Sequence, residues 1–90
     1  MLKNPRKDYY VYAHIAADGV VEYIGKGTCN RCHSLARGKL HKHWIKSQYP
    51  REYVEIIQDN LTEQEAFALE RKMLLSGEYS PKFNELLRER

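Results

Sequence analysis

No apolar run in this chain approaches the length needed to cross a bilayer. Its opening, Met-Leu-Lys-Asn-Pro, lacks the hydrophobic stretch of a secretory leader. The expectations are an intracellular protein and no membrane partner. Cysteine is scarce: Cys29 and Cys32 are the only two, expected to be reduced thiols in that compartment. No internal repeat, low-complexity tract or linker is visible. The 90 residues leave room for one domain, 1–90, with one modest core. A chain of that size buries about 60–65% of its unfolded surface.

What is present reads as globular: 42% of residues are hydrophobic and 30% charged. The net charge of +3 hides a division. Residues 1–51 hold ten Lys and Arg against three acids, whereas residues 52–90 hold five against nine. A basic half rich in tyrosine and histidine points to a polyanion, nucleic acid above all.

Asp18-Gly19 stands between two apolar runs and predicts a β-hairpin over Tyr9 to Gly25, through a type I′ turn. A two-residue loop puts Tyr12 opposite Gly25 and His14 opposite Tyr23, so both tyrosines share a face with a glycine beside them. Val11, Ala13, Ile15 and Ile24 form the other, dry face. A three- or five-residue loop without a bulge would separate the tyrosines.

Further along, Thr28 or Asn30 is expected to cap a short helix ending near Arg37, with Gly38 as its stop. Residues 39–48 read as a second helix with Leu40 and Trp44 on one side, closed by Pro50. Tyr53 to Gln58 reads as a third strand, followed by a turn at Asp59-Asn60. Thr62-Glu63-Gln64-Glu65 is a capping box for a helix over 62–76, stopped by Gly77. Its apolar arc contains Ala66, Phe67, Leu69, Met73 and Leu74, and Glu70 falls near the middle. Ser80-Pro81 opens a last segment with Phe83, Asn84, Leu86 and Leu87.

A carboxylate facing a core needs a cation, a metal or several donors. Glu70 is therefore either an ion-pair partner of Arg31 or Arg71, or a ligand of a divalent metal such as Mg²⁺, which takes one or two carboxylates and keeps its waters. Lys26, in the loop Gly25-Lys26-Gly27, could join Arg31 and helix-start amides in holding a phosphate. Cys29-Asn30-Arg31-Cys32-His33 has the spacing of haem attachment and of dithiol redox sites. With His41 and His43 it makes a possible zinc set, though His-x-His departs from the usual finger spacing. His14, His33, His41 and His43 are each candidates to contact phosphate or to act in acid–base chemistry.

Taken together, this ordered set resembles the GIY-YIG nuclease family. Tyr10-Val11-Tyr12 stands for the first motif and Tyr23-Ile24-Gly25 for the second; Arg31, Glu70 and the pair Phe83-Asn84 follow. The resemblance spans about residues 9–84. It implies an α+β fold: a small three-stranded antiparallel sheet, hairpin first, flanked by helices. It also implies a metal-dependent endonuclease acting on nucleic acid, DNA being the expected polymer. Glu70 would hold one Mg²⁺ or Mn²⁺. Tyr12 would help deprotonate water, Tyr23 would orient the network and Arg31 would stabilise the transition state. Lys26, the four histidines and Asn84 would contact nucleic acid. Tyr10 replaces the first glycine and is expected to point away from Tyr12's neighbours. Leu35 occupies a position where many members carry His or Tyr. Larger members carry a separate DNA-binding domain for which this chain has no room, so either cleavage is weakly specific or a homodimer or separate partner supplies recognition. The alternatives are a binding module without catalysis, or a small zinc or redox protein using Cys29 and Cys32.

Overall fold

The hairpin forms, but not by the expected turn. The computed structural model describes residues 7–79 together with 81, 83 and 84. Strands β1 (Tyr9–Ile15) and β2 (Val21–Gly27) pair antiparallel, with Tyr12 opposite Gly25 and His14 opposite Tyr23. The loop holds three residues, because Ala16 N–H bonds Val20 O and Gly19 N–H bonds Ala16 O. Asp18 has no positive φ, and only Gly19 does, at 91°. Asp18 Oδ1 instead accepts from Val20 N–H at 3.1 Å. An odd loop alone would flip every side chain. A register shift between His14 and Ile15 flips them back, so the tyrosines stay together.

The first expected helix shrinks to one 3-10 turn, Arg31–His33. Tyr10 is the reason. Its hydroxyl donates to Cys29 O at 2.7 Å and accepts from Cys32 N–H at 3.0 Å, removing two backbone groups that an α-helix would use. Gly38 does not stop that helix. It is the N-cap of α1, Lys39–Gln48. The buried residues of α1 are His41 and Ile45, whereas Leu40 is exposed.

Strand β3 (Val54–Leu61) runs through the expected Asp59-Asn60 turn. Register shifts against β1 absorb the extra residues, with Asn60 at φ 63°. Helix α2, Glu63–Leu75, has the predicted reciprocal cap: Glu65 N–H donates to Thr62 Oγ1, and Thr62 N–H donates to the Glu65 carboxylate. Gly77 follows its end with φ 83°.

The sheet order is β2-β1-β3, all antiparallel, which makes this an α+β fold with β1 at the centre. One face carries the aliphatic core of Val11, Ile24, Leu61 and Ala66, with Leu69, Met73 and Leu74 of α2 packed around it. Ala66 is fully buried, so α2 approaches the sheet through a small side chain. Phe67, placed on the buried arc by periodicity, is half exposed. The opposite face carries Tyr10, Tyr12, His14 and Tyr23, and the rings of His41 and Trp44 from α1 lie on it. Among the described residues no helix is long and apolar enough to cross a membrane. Ser80, Leu86 and Leu87 lie outside the described residues.

Candidate active site

Two glycines let the aromatic face close. A Cβ on Gly25 would lie 2.7 Å from the Tyr23 ring and 2.8 Å from the Tyr12 hydroxyl. A Cβ on Gly27 would run into the Cβ and Cγ of Arg31. The bare stretch of β2 therefore seats one phenol and the stem of one arginine. Tyr12 and Tyr23 lie with ring centroids 6.0 Å apart, as the register requires. Tyr10 does not turn away: its ring stands edge-on to Tyr12 at 5.7 Å. By bonding both Cys29 and Cys32 it pins the turn that carries Arg31.

Sequence reasoning missed Arg37. Its guanidinium lies over the rings of Tyr12 and Tyr23, at 5.6 and 5.1 Å. Nε and Nη2 donate to Ser34 O and Arg31 O, while Nη1 is buried with no partner. The Tyr12 hydroxyl is buried and unpartnered as well. The charge and close approach of Arg37 favour the phenolate of Tyr12, but burial wins: the phenol's pKa is pushed far above its ordinary value. Burial thus holds Tyr12 as the neutral phenol, and only an added charge, such as a metal-polarised water beside Arg31, would ease its deprotonation. The signal for Arg37 was weak, because only the fold brings this loop cation over two rings.

Arg31, Arg37, Lys39, Tyr23, His41 and Phe83 help line a pocket of about 470 Å³ at the start of α1. No side chain caps that helix and its first turn holds no acid. Positive charge thus collects on one side of an aromatic wall, a setting suited to an anion with an attached ring.

The other expected residues divide. His14 is fully buried with both ring nitrogens bonded, Nδ1 to His41 and Nε2 to Cys32 O, so it is no surface contact for nucleic acid. His33 and His43 are exposed, and His33 Nδ1 sits 3.4 Å from Cys32 Sγ. Asn84 is also committed. Its Oδ1 accepts from Ile24 N–H at 2.7 Å and its Nδ2 donates to Ile24 O at 2.9 Å. It clamps the backbone of β2 and does not reach out to a ligand. Lys26 leaves the expected phosphate cradle: it lies over the Tyr9 ring and 3.9 Å from Glu63 of α2, on the aliphatic side.

Glu70 stands apart from the phenols. Its helix packs on the face opposite them, and Lys26 is the cation whose charge opposes the desolvation that raises its pKa. Among the described residues, no hydrogen bond or ion pair holds its half-buried carboxylate, to Arg31, Arg71 or any other group. No hydrogen bond or ion pair among the described residues joins Glu70 to Tyr12, Tyr23 or Arg31. The fold gathers Tyr12, Tyr23 and Arg31 and adds Arg37 and His41, while Glu70 belongs to the helix packed on the aliphatic core.

Cys29 is exposed, Cys32 is buried, and the two are unbridged. Among the described residues no three His, Cys, Asp or Glu side chains gather as a metal site, so the zinc set is not assembled there. Compared with family models, curated proteins and solved structures, the chain matches none.

Proposed function

We propose that this chain is a metal-dependent endonuclease that hydrolyses phosphodiester bonds of nucleic acid, DNA being the first substrate to try. This is the activity implied by the resemblance of its motifs to GIY-YIG nucleases. The observation that carries it is a pair of buried, unpartnered polar groups, Tyr12 Oη and Arg37 Nη1, beside a cationic pocket. Leaving such groups unbonded costs about 1–3 kcal/mol each. A phosphate oxygen would satisfy Arg37 Nη1 and, as that guanidinium shifts, the Tyr12 hydroxyl. Arg31 and Lys39 would add charge at the rim, and Arg31 would stabilise the pentavalent transition state.

Glu70 fits a divalent cation by its own chemistry. It is desolvated, has a raised pKa and lacks a hydrogen-bond partner among the described residues. Bound Mg²⁺ or Mn²⁺ would supply Lewis-acid stabilisation of phosphoryl charge. The exposed Lys42, His43 and Lys46 of α1 would meet the polymer backbone next to the pocket.

The position of Glu70 favours one second reading, a nucleic-acid-binding domain that does not cleave. Incubating the chain with supercoiled, linear and branched DNA, with Mg²⁺ or Mn²⁺ and with chelator, separates the two. A nuclease nicks plasmid, loses that activity in chelator, and loses it in Glu70→Ala and in Arg31→Ala while circular dichroism is unchanged. Cleavage retained by both variants overturns the site. Salt-sensitive binding with no metal-dependent product establishes the second reading.

A further inference from the structure

Of four histidines, His41 both lines the pocket and keeps a nitrogen uncommitted among the described residues. His14 Nε2 lies 2.8 Å from Cys32 O, and a carbonyl can only accept, so that nitrogen carries the proton. In a neutral ring the other nitrogen, Nδ1, must then be the lone pair. It sits 2.9 Å from His41 Nε2, which must donate to it. The proton on His41 is thereby fixed at Nε2, leaving Nδ1 as an acceptor. The two nitrogens of an imidazole diverge, so with Nε2 turned inward to His14, Nδ1 looks away from it.

The surroundings hold that ring in place. His41 is stacked on Phe83 with centroids 4.4 Å apart and lies 4.5 Å from the Tyr23 ring. Burial, the neighbouring His14 and the Arg37 charge lower its pKa to about 3; burial chiefly lowers that of His14 to about 4. Both rings are neutral throughout the physiological range, which the tautomer argument requires.

Resting on the nuclease reading, we infer that His41 Nδ1 is the proton acceptor for the attacking water, and that His14 is the positioning residue that fixes its tautomer. The water oxygen forms the new bond to phosphorus while its proton passes to His41 Nδ1. The bond to the 3′ oxygen breaks with its electron pair, and that oxygen takes a proton from solvent. His41 then returns its proton to solvent, giving a 5′-phosphate and a 3′-hydroxyl. An anionic phosphate in the pocket would offset the Arg37 charge, one of the three causes that lower the His41 pKa, and so raise the basicity of the ring.

The test uses the full chain, ring-labelled with ¹⁵N, and supercoiled plasmid with Mn²⁺. The titratable and charged groups around His41 are His14 on β1, Tyr23 on β2, Arg31 and His33 on the 3-10 turn, Arg37 after it, and Lys39 on α1. Ring nitrogen spectra should show His14 and His41 both protonated at Nε2 and unchanged from pH 6 to 8. His41→Gln keeps a donor toward His14 but offers no base. It should lower kcat by about 10²-fold or more with KM within about twofold, in the range of a lost general base. His14→Phe should release His41 into mixed tautomers and lower kcat, and His14→Gln, which retains an acceptor, should restore much of both. A proton on His41 Nδ1, or full kcat in His41→Gln beside an active wild type, overturns the inference alone. A wild-type chain that leaves plasmid intact overturns the nuclease reading, and this inference with it.

Discussion

The two faces of one small sheet are built on opposite principles. On the face under α2, Val11, Ile24 and Ala66 are fully buried and apolar, and they ask nothing of their neighbours but shape. On the face under α1, Tyr12 and His14 are equally buried yet polar, and two groups there have no partner. The first face holds the fold together. The second stores unsatisfied hydrogen-bonding capacity, which a folded chain tolerates only because the first is well packed.

Mutations should separate these faces. Ile24→Ala removes a fully buried side chain from the aliphatic face and should cost about 2–5 kcal/mol in urea denaturation, as truncations of core residues do. An equal loss from a surface position such as Leu40→Ala would contradict the division.

Acid should attack the other face. The His14 and His41 pKa values, about 4 and 3, lie below the unfolded value near 6.5, so the unfolded chain binds more protons between those limits. Their contribution is intact above pH 6.5 and is lost as pH falls toward 3, at up to about 2.7 kcal/mol per pH unit for the pair. Denaturation curves at a series of pH values read this slope, and removing both histidines should flatten it.

The finest distinction lies between two neighbouring tyrosines. Tyr10→Phe deletes two hydrogen bonds that pin the Arg31 turn and should destabilise by about 1–2 kcal/mol. Tyr12→Phe deletes a hydroxyl with no partner and should raise stability by up to about 1 kcal/mol while impairing cleavage. Thermal melts of the two variants should shift in opposite directions.

Much of this architecture was legible before any coordinates. The alternation of Val11, Ala13 and Ile24 with Tyr12, His14 and Tyr23 told the two faces apart, and Thr62 with Glu65 announced α2. The hairpin register survived even though the turn differed, because burying one face penalises a slip more than the loop resists a bulge. Where local reading failed, a distant group had intervened. The helix expected near Arg31 was undone by the hydroxyl of Tyr10, and the Asp59-Asn60 turn was drawn into pairing with β1.

The sequence by itself determined the strands, both long helices and the segregation of aliphatic from aromatic positions, since these depend on residues two to four apart. Only the tertiary structure decided that Arg37 covers the phenols, that Asn84 grips Ile24 sixty positions away, and that His14 wires His41. Those outcomes depend on which groups the packed sheet brings within a few ångströms, and periodicity along the chain carries no record of that.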